Sequence, residues 1–174
     1  MKRMLILIFF IFPQLAVASN CIKFDEKEYC EVWKNKDGEM QTVEFLIDGQ
    51  TVNAWTTMMT VREYDGKTAL KEVLPDYLNS VKPMFALKPD FLQKDNSKSK
   101  EEVFLRMLLL APDKSHYEYV VNRFYRDDEK SVKSIFYSHR IPFAKEVNFN
   151  EIMENRDNWL EQLQLLSVDG HIGD

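Results

Sequence analysis

Apolar and polar positions divide the chain into an uncharged opening run, a series of alternating stretches and two helical stripes. Met4 to Phe12 is wholly apolar. Glu28 to Lys34 is a short strand-like run, and Asn35-Lys36-Asp37-Gly38 ends it with the D-G pair of a hairpin. Glu39 to Ile47 sets Val43, Phe45 and Ile47 on one face and Glu44 on the other, the pattern of a half-buried strand. Asn53 stands where it would cap a single helical turn over Ala54-Trp55-Thr56-Thr57, and Met58 to Tyr64 reads as another strand. Between Thr68 and Val81, the residues Leu70, Val73, Leu74, Tyr77, Leu78 and Val81 recur at helical spacing and form one apolar stripe. Pro75 interrupts it by removing a hydrogen bond and crowding the Lys71 carbonyl, so a kink or a restart is expected there. Lys94 to Glu102 is polar and predicts a mobile surface loop.

Three more strands follow: Val103 to Leu110, Tyr117 to Arg126 and Val132 to Phe143, the last two joined across the acidic tip Asp127-Asp128-Glu129-Lys130. The closing helix has a start signal in Asn148, with Glu151 placed to complete a capping box and Val147 to staple onto Ile152. Ile152, Trp159, Leu160, Leu163 and Leu166 form its apolar stripe. Ser167 to Asp174 reads as a flexible tail. About six strands and two main helices, arranged in blocks without repeats, predict an α+β domain: one mostly antiparallel sheet with helices packed against it.

The start of the chain changes the setting. Met1-Lys2-Arg3, the apolar run and Ala16-Val17-Ala18 give the order of a secretory signal peptide, with cleavage expected before Ser19. Nine apolar residues make about 14 Å of helix, too short for a hydrocarbon core of ~30 Å. The expected organisation is therefore a signal peptide over residues 1–18, a single domain over 19–166 and a tail over 167–174, in a periplasmic or secreted protein. A lipoprotein signal needs a small residue before its cysteine, and Asn20 precedes Cys21. The net charge is −5, and losing Lys2 and Arg3 makes the chain more acidic still. Such a chain repels phosphate backbones and anionic lipid heads, which argues against nucleic acid and membrane surfaces as partners. No stretch after residue 18 has the length of a membrane span. Cys21 and Cys30 are the only cysteines, and in an oxidising compartment they predict one disulfide.

Candidate chemistry is sparse. No nucleophile elbow, phosphate loop or dinucleotide turn is present, so no cofactor is expected. The three histidines, His116, His139 and His171, lack zinc-site spacing, and the acidic tip lacks the spaced oxygens of a calcium loop. His139 draws interest because Ile135, Tyr137 and Ile141 share its face while Ser138 and Arg140 point the other way. Arg62, Arg106, Arg123 and Arg140 occupy four different strands and would form a cationic ladder if their registers align. Trp55, with Met58, Met59 and Met107, supplies the wall of an apolar pocket.

Several blocks carry a resemblance. Phe45-Leu46-Ile47-Asp48-Gly49-Gln50, Asn53-Ala54-Trp55-Thr56 and Met59-Thr60-Val61 resemble stretches of small exported bacterial proteins of unknown function. So do Tyr137-Ser138-His139-Arg140 and Asn155-Arg156-Asp157-Asn158-Trp159-Leu160. In layout these proteins are similar to the PsbP-like (DcrB-like) α/β/α sandwich of photosystem accessory subunits, the lipoprotein DcrB and chaperones of secretion-system effectors. The resemblance covers roughly Phe24 to Leu166. It implies that sandwich fold and a binding or accessory role, and it brings no catalytic residues.

The first functional expectation is accordingly an exported, non-catalytic accessory module whose partner is another exported or envelope protein. Two alternatives stand beside it. One is a carrier of a small apolar or anionic ligand, held by Trp55 and the arginines. The other is a hydrolase or transferase built around Tyr137, His139 and Arg140. The candidate binding residues are Trp55, Arg62, Tyr137, His139 and Arg140.

Overall fold

The computed structural model describes residues 20–92, 101–126, 131–144, 146–168 and 170–172. The expected signal peptide and its cleavage point, most of the loop beginning at Lys94, and the acidic tip at Asp127 to Lys130 lie outside the described residues.

Among the described residues, eight strands form one sheet: β1 (Cys21–Phe24), β2 (Lys27–Asp37), β3 (Met40–Leu46), β4 (Thr57–Asp65), β5 (Asp90–Leu92), β6 (Glu102–Leu110), β7 (His116–Arg126) and β8 (Ser131–Pro142). Their order is β1-β2-β3-β4-β8-β7-β6-β5, and every neighbouring pair is antiparallel. The expectation of six strands packed by two main helices in a PsbP-like sandwich is thereby corrected. The sheet has eight strands and dominates the fold, while α1 (Leu74–Val81) and α2 (Asn150–Leu165) are short. The two additional strands are the outermost ones, β1 with four residues and β5 with three, too short to display an alternation. The β1–β2 turn also hides its signal. Asp25 and Glu26 hold φ of 50° and 59°, the doubly left-handed turn that Asn-Gly or Asp-Gly normally announces.

The helical stripe from Thr68 to Val81 is divided into a 3-10 turn at Leu70–Glu72 and α1. Pro75 sits in the first turn of α1, where its missing N–H is no loss, so it starts the helix. The Glu72 carboxylate accepts from the backbone N–H groups of Thr68 and Ala69, both at 2.9 Å. Two local expectations are corrected. Residues 51–54 form a turn closed by reciprocal Thr51–Ala54 backbone bonds, with no helical turn around Trp55. The capping box before α2 does not form: Asn148 Oδ1 accepts from the Asn150 N–H at 2.9 Å, while Glu151 faces His139.

The register sorts the sheet into two unlike faces. Even-numbered residues of β3, β4, β7 and β8 share one face with odd-numbered residues of β6. On the opposite face Val43, Phe45, Met59, Val61, Phe104, Tyr119, Val121, Ile135 and Tyr137 pack against Ile152, Trp159, Leu160 and Leu163 of α2, making the main core. The first face is apolar where Leu70, Val73 and α1 meet Leu105, Met107, Val120, Phe124, Val132 and Phe136, and again at the smaller cluster of Leu46, Trp55 and Met58. Elsewhere it carries Thr42, Glu44, Thr60, Arg62, Glu118, Ser138 and Arg140.

Cys21 and Cys30 are directly opposite across β1 and β2 and form the expected disulfide. No helix among the described residues is long and apolar enough to cross a membrane. The segment read as a flexible tail is packed where it is described. Val168 is 1% exposed in the main core, and the His171 ring stands edge-on to Phe45 at 6.0 Å. Asn20 Oδ1 lies 2.5 Å from His171 Nδ1, which joins the two ends of the described chain. A polar composition concealed this because one valine and one ring do the anchoring.

Candidate functional site

The polar part of the α1-bearing face forms a half-open groove of about 480 Å³, within the range of small-ligand sites. Its floor is the sheet, with Glu44 from β3, Thr60 and Arg62 from β4, Ser138 and Arg140 from β8, and Glu118 from β7. Tyr77, Ser80 and Val81 of α1 form one wall, and Trp55 stands on another. Trp55 is fixed by packing on Leu46 and Met58, and the loop leading to it is pinned by Gln50, whose Oε1 accepts from the Thr56 N–H at 2.8 Å. Tyr77 is held by Asn122 Nδ2, which donates to its hydroxyl at 2.6 Å, and by ring contacts with Phe124 and Phe136. Burial raises the Tyr77 pKa, so the phenol stays neutral.

The charges in this groove are poorly paired. Arg140 lies flat over Trp55, its Cζ 3.5 Å from the ring centroid, a stacked cation–π contact. Its Nε is 3.9 Å from Glu118, beyond hydrogen-bond reach, and has no hydrogen-bond partner among the described residues. Arg62 lies over Phe136 at 4.9 Å, and its buried Nε is likewise unbonded. The Glu44 carboxylate makes no ion pair or hydrogen bond with any described residue; burial pushes its pKa above the usual range, with Arg62 countering. Burial lowers the Arg140 pKa, with Glu118 and Glu44 opposing. Buried donors on two guanidinium groups without acceptors are uncommon, because each lost bond costs about 1–3 kcal/mol.

Of the five candidate binding residues, the groove collects Trp55, Arg62 and Arg140. Tyr137 and His139 are on the other face. Tyr137 is fully buried between Phe24, Tyr29 and Trp159, and burial drives its pKa far upward. His139 stacks on Trp159 at 5.7 Å and is 9% exposed. Its Nδ1 is buried without a partner among the described residues, and its Nε2 lies 3.7 Å from Glu151. A second hollow of about 400 Å³ opens beside it, lined by Lys27, Thr57 and Glu151. The arginine ladder does not assemble. Arg106 and Arg123 lie on the α2 face, where Arg106 pairs with Asp90 and Asp157 and Arg123 with Glu102. Sequence reasoning missed Glu44, Glu118 and Tyr77 as groove residues. For the two glutamates the available signal was alternation, which puts each on the polar side of its strand.

Among the described residues, one group has side chains close enough to share a metal ion, Cys21, Glu28 and Cys30, and its sulfurs are joined in the disulfide.

With this geometry in view, residues 16–168 match the model of one uncharacterized protein family. The chain belongs to that family. The match carries no assigned activity, and no curated protein matches the chain. It agrees with the resemblance to small proteins of unknown function and lends nothing to the PsbP-like part of it.

Proposed function

We propose that this protein is an exported binding module that holds a small carboxylate-bearing ligand in the groove between the sheet and α1, without catalysing a reaction on it. The observation that carries this reading is the pair of guanidinium groups, Arg62 and Arg140, each with a buried Nε that lacks a hydrogen-bond partner among the described residues, on one cavity beside Trp55. Guanidinium groups bind carboxylates through paired N–H donors, and a partly desolvated site strengthens those bonds. Trp55 already holds Arg140 in place, so little side-chain freedom is lost on binding. The export part of the proposal rests on the signal-like start of the chain and on the Cys21–Cys30 disulfide.

A hydrolytic role around His139 finds less support. Ser138 and Arg140 point away from it, Tyr137 is sealed in the core, and the imidazole has a hydrogen bond on neither nitrogen. General-base catalysis needs a proton acceptor in reach of a reacting group and an orienting partner behind it.

The test is native mass spectrometry on protein recovered from its own exported fraction without denaturation. The expected result is an added mass that leaves on unfolding and is absent from the Arg62→Gln/Arg140→Gln variant. An added mass that survives in the double variant, or none in the unaltered protein, overturns the reading.

A further inference from the structure

The groove holds two carboxylates as well as two arginines, and their arrangement narrows the ligand. We infer, resting on the binding role proposed above, that the ligand is a zwitterion of the amino-acid or short-peptide class. Its carboxylate meets Arg62 and Arg140, and its ammonium group meets Glu44 beside Trp33.

Charge balance is the first argument. Arg62 and Arg140 share one cavity with Glu44 and Glu118, so these four charges balance, and His116 is the remaining basic side chain on the lining. A ligand bearing only negative charge would satisfy the guanidinium groups and leave the Glu44 carboxylate without a counter-charge beside it. A neutral ligand would leave Glu44 and Arg62 unpaired in a partly desolvated site, which is costly. A molecule with one charge of each sign answers both.

The second argument is the shape of β2. The pairing of β2 with β3 runs Glu31 to Phe45 and then jumps to Trp33 with Glu44, leaving Val32 as the extra residue of a β-bulge. Without the bulge, Val32 would stand opposite Glu44. With it, Trp33 does, on the same face of the sheet as the groove. Trp33 is 41% exposed, a large aromatic ring held at the surface. Bulges recur beside functional sites because they re-aim a side chain. An indole next to an unpaired carboxylate is a favourable setting for an ammonium group, which gains an ion pair from one and a cation–π contact from the other.

The test is titration calorimetry on the full mature chain with matched probes: an ω-amino acid series including 6-aminohexanoate, the corresponding monocarboxylates such as hexanoate, and a set of dipeptides. At least one zwitterion should bind about tenfold tighter than the monocarboxylate of equal length. In Glu44→Gln that preference should vanish, and Trp33→Ala should weaken zwitterion binding several-fold. If monocarboxylates bind as tightly as zwitterions, the inference fails and the carboxylate reading survives. If no probe binds, or binding is unchanged in Arg62→Gln/Arg140→Gln, both fail. The comparison of probes on the unaltered protein decides the matter even if a variant does not fold.

Discussion

Replacing Arg123 with methionine should show how much of the fold depends on one buried cation. Arg123 Nε donates to Glu102, and Nη1 donates to the Leu163 and Leu166 carbonyls at 3.0 and 2.8 Å. The guanidinium also lies 4.4 Å from the centre of the Tyr125 ring. One side chain thus ties β7 to β6 and to the C-terminus of α2, where a cation complements the helix dipole. The side chains of Arg123 and Glu102 are 14% and 8% exposed. Removing one partner from so buried a pair costs about 3–5 kcal/mol, and the lost dipole interaction adds roughly 0.3–1 kcal/mol. Methionine keeps the apolar stem, so packing losses stay small. The expected cost is about 4 kcal/mol against a total stability of about 5–15 kcal/mol. For a urea slope of about 2 kcal/mol per molar, the midpoint followed by circular dichroism should fall by about 2 M. Adding Glu102→Gln to Arg123→Met should restore about 1–2 kcal/mol, because the Glu102 charge would then no longer be held in a buried site without the Arg123 guanidinium. A single-variant cost below about 1 kcal/mol, or a double variant weaker than Arg123→Met alone, would refute this account of the pair.

Burial of His139 implies a pH dependence of stability with a definite sign. Burial lowers its pKa below the ordinary value of about 6.5, so the unfolded chain binds a proton more readily than the folded one. Its contribution is present above about pH 6.5 and is lost as the pH falls from there through the folded value. Thermal unfolding over a pH series should therefore show a loss below about pH 6.5 that is reduced in His139→Gln, and superimposable profiles would remove His139 as the cause. At the β1–β2 turn, Glu26 holds φ of 59°, which costs a non-glycine residue about 1 kcal/mol. Glu26→Gly should raise the unfolding midpoint by a few degrees, and a lower midpoint would show that the side chain contributes more than the strain costs.

The six long strands were legible because each spans seven or more residues, long enough to show a strand-like run between turn signals. β1 and β5 gave no such signal. Four and three residues cannot establish a period, and the Asp25-Glu26 turn lacks the glycine that would have marked a hairpin. The start of α2 misled for a different reason. Asn148 and Glu151 have capping-box spacing, but tertiary context draws Glu151 towards His139, and a cap worth about 1 kcal/mol is readily overridden. The tail misled because composition averages over residues, whereas docking needs only Val168 and His171.

The site was half legible, and parity explains where it stopped. Alternation alone places Arg140 with Ser138 and opposite His139, which was enough to deny a Ser138–His139 dyad. It also places Arg62 opposite Val61, and Glu44 opposite Val43 and Phe45. Joining these strands into one groove requires relative registers, and β4 meets β8 across more than sixty intervening residues, with no hairpin to fix the alignment. The pairing of Arg62 with Ser134 puts Arg62 and Arg140 on one face, and the pairing of Glu118 with Arg140 adds the second carboxylate. Between β6 and β7 the parity changes, so Arg106, even-numbered like Arg62, falls on the opposite face. Four arginines that looked equivalent in the sequence therefore divide by face. Arg106 and Arg123 have acidic partners and stabilise the fold, while Arg62 and Arg140 keep unbonded donors in a cavity. That difference in satisfaction, more than the number of cations, is what marks the groove as a place where a ligand belongs.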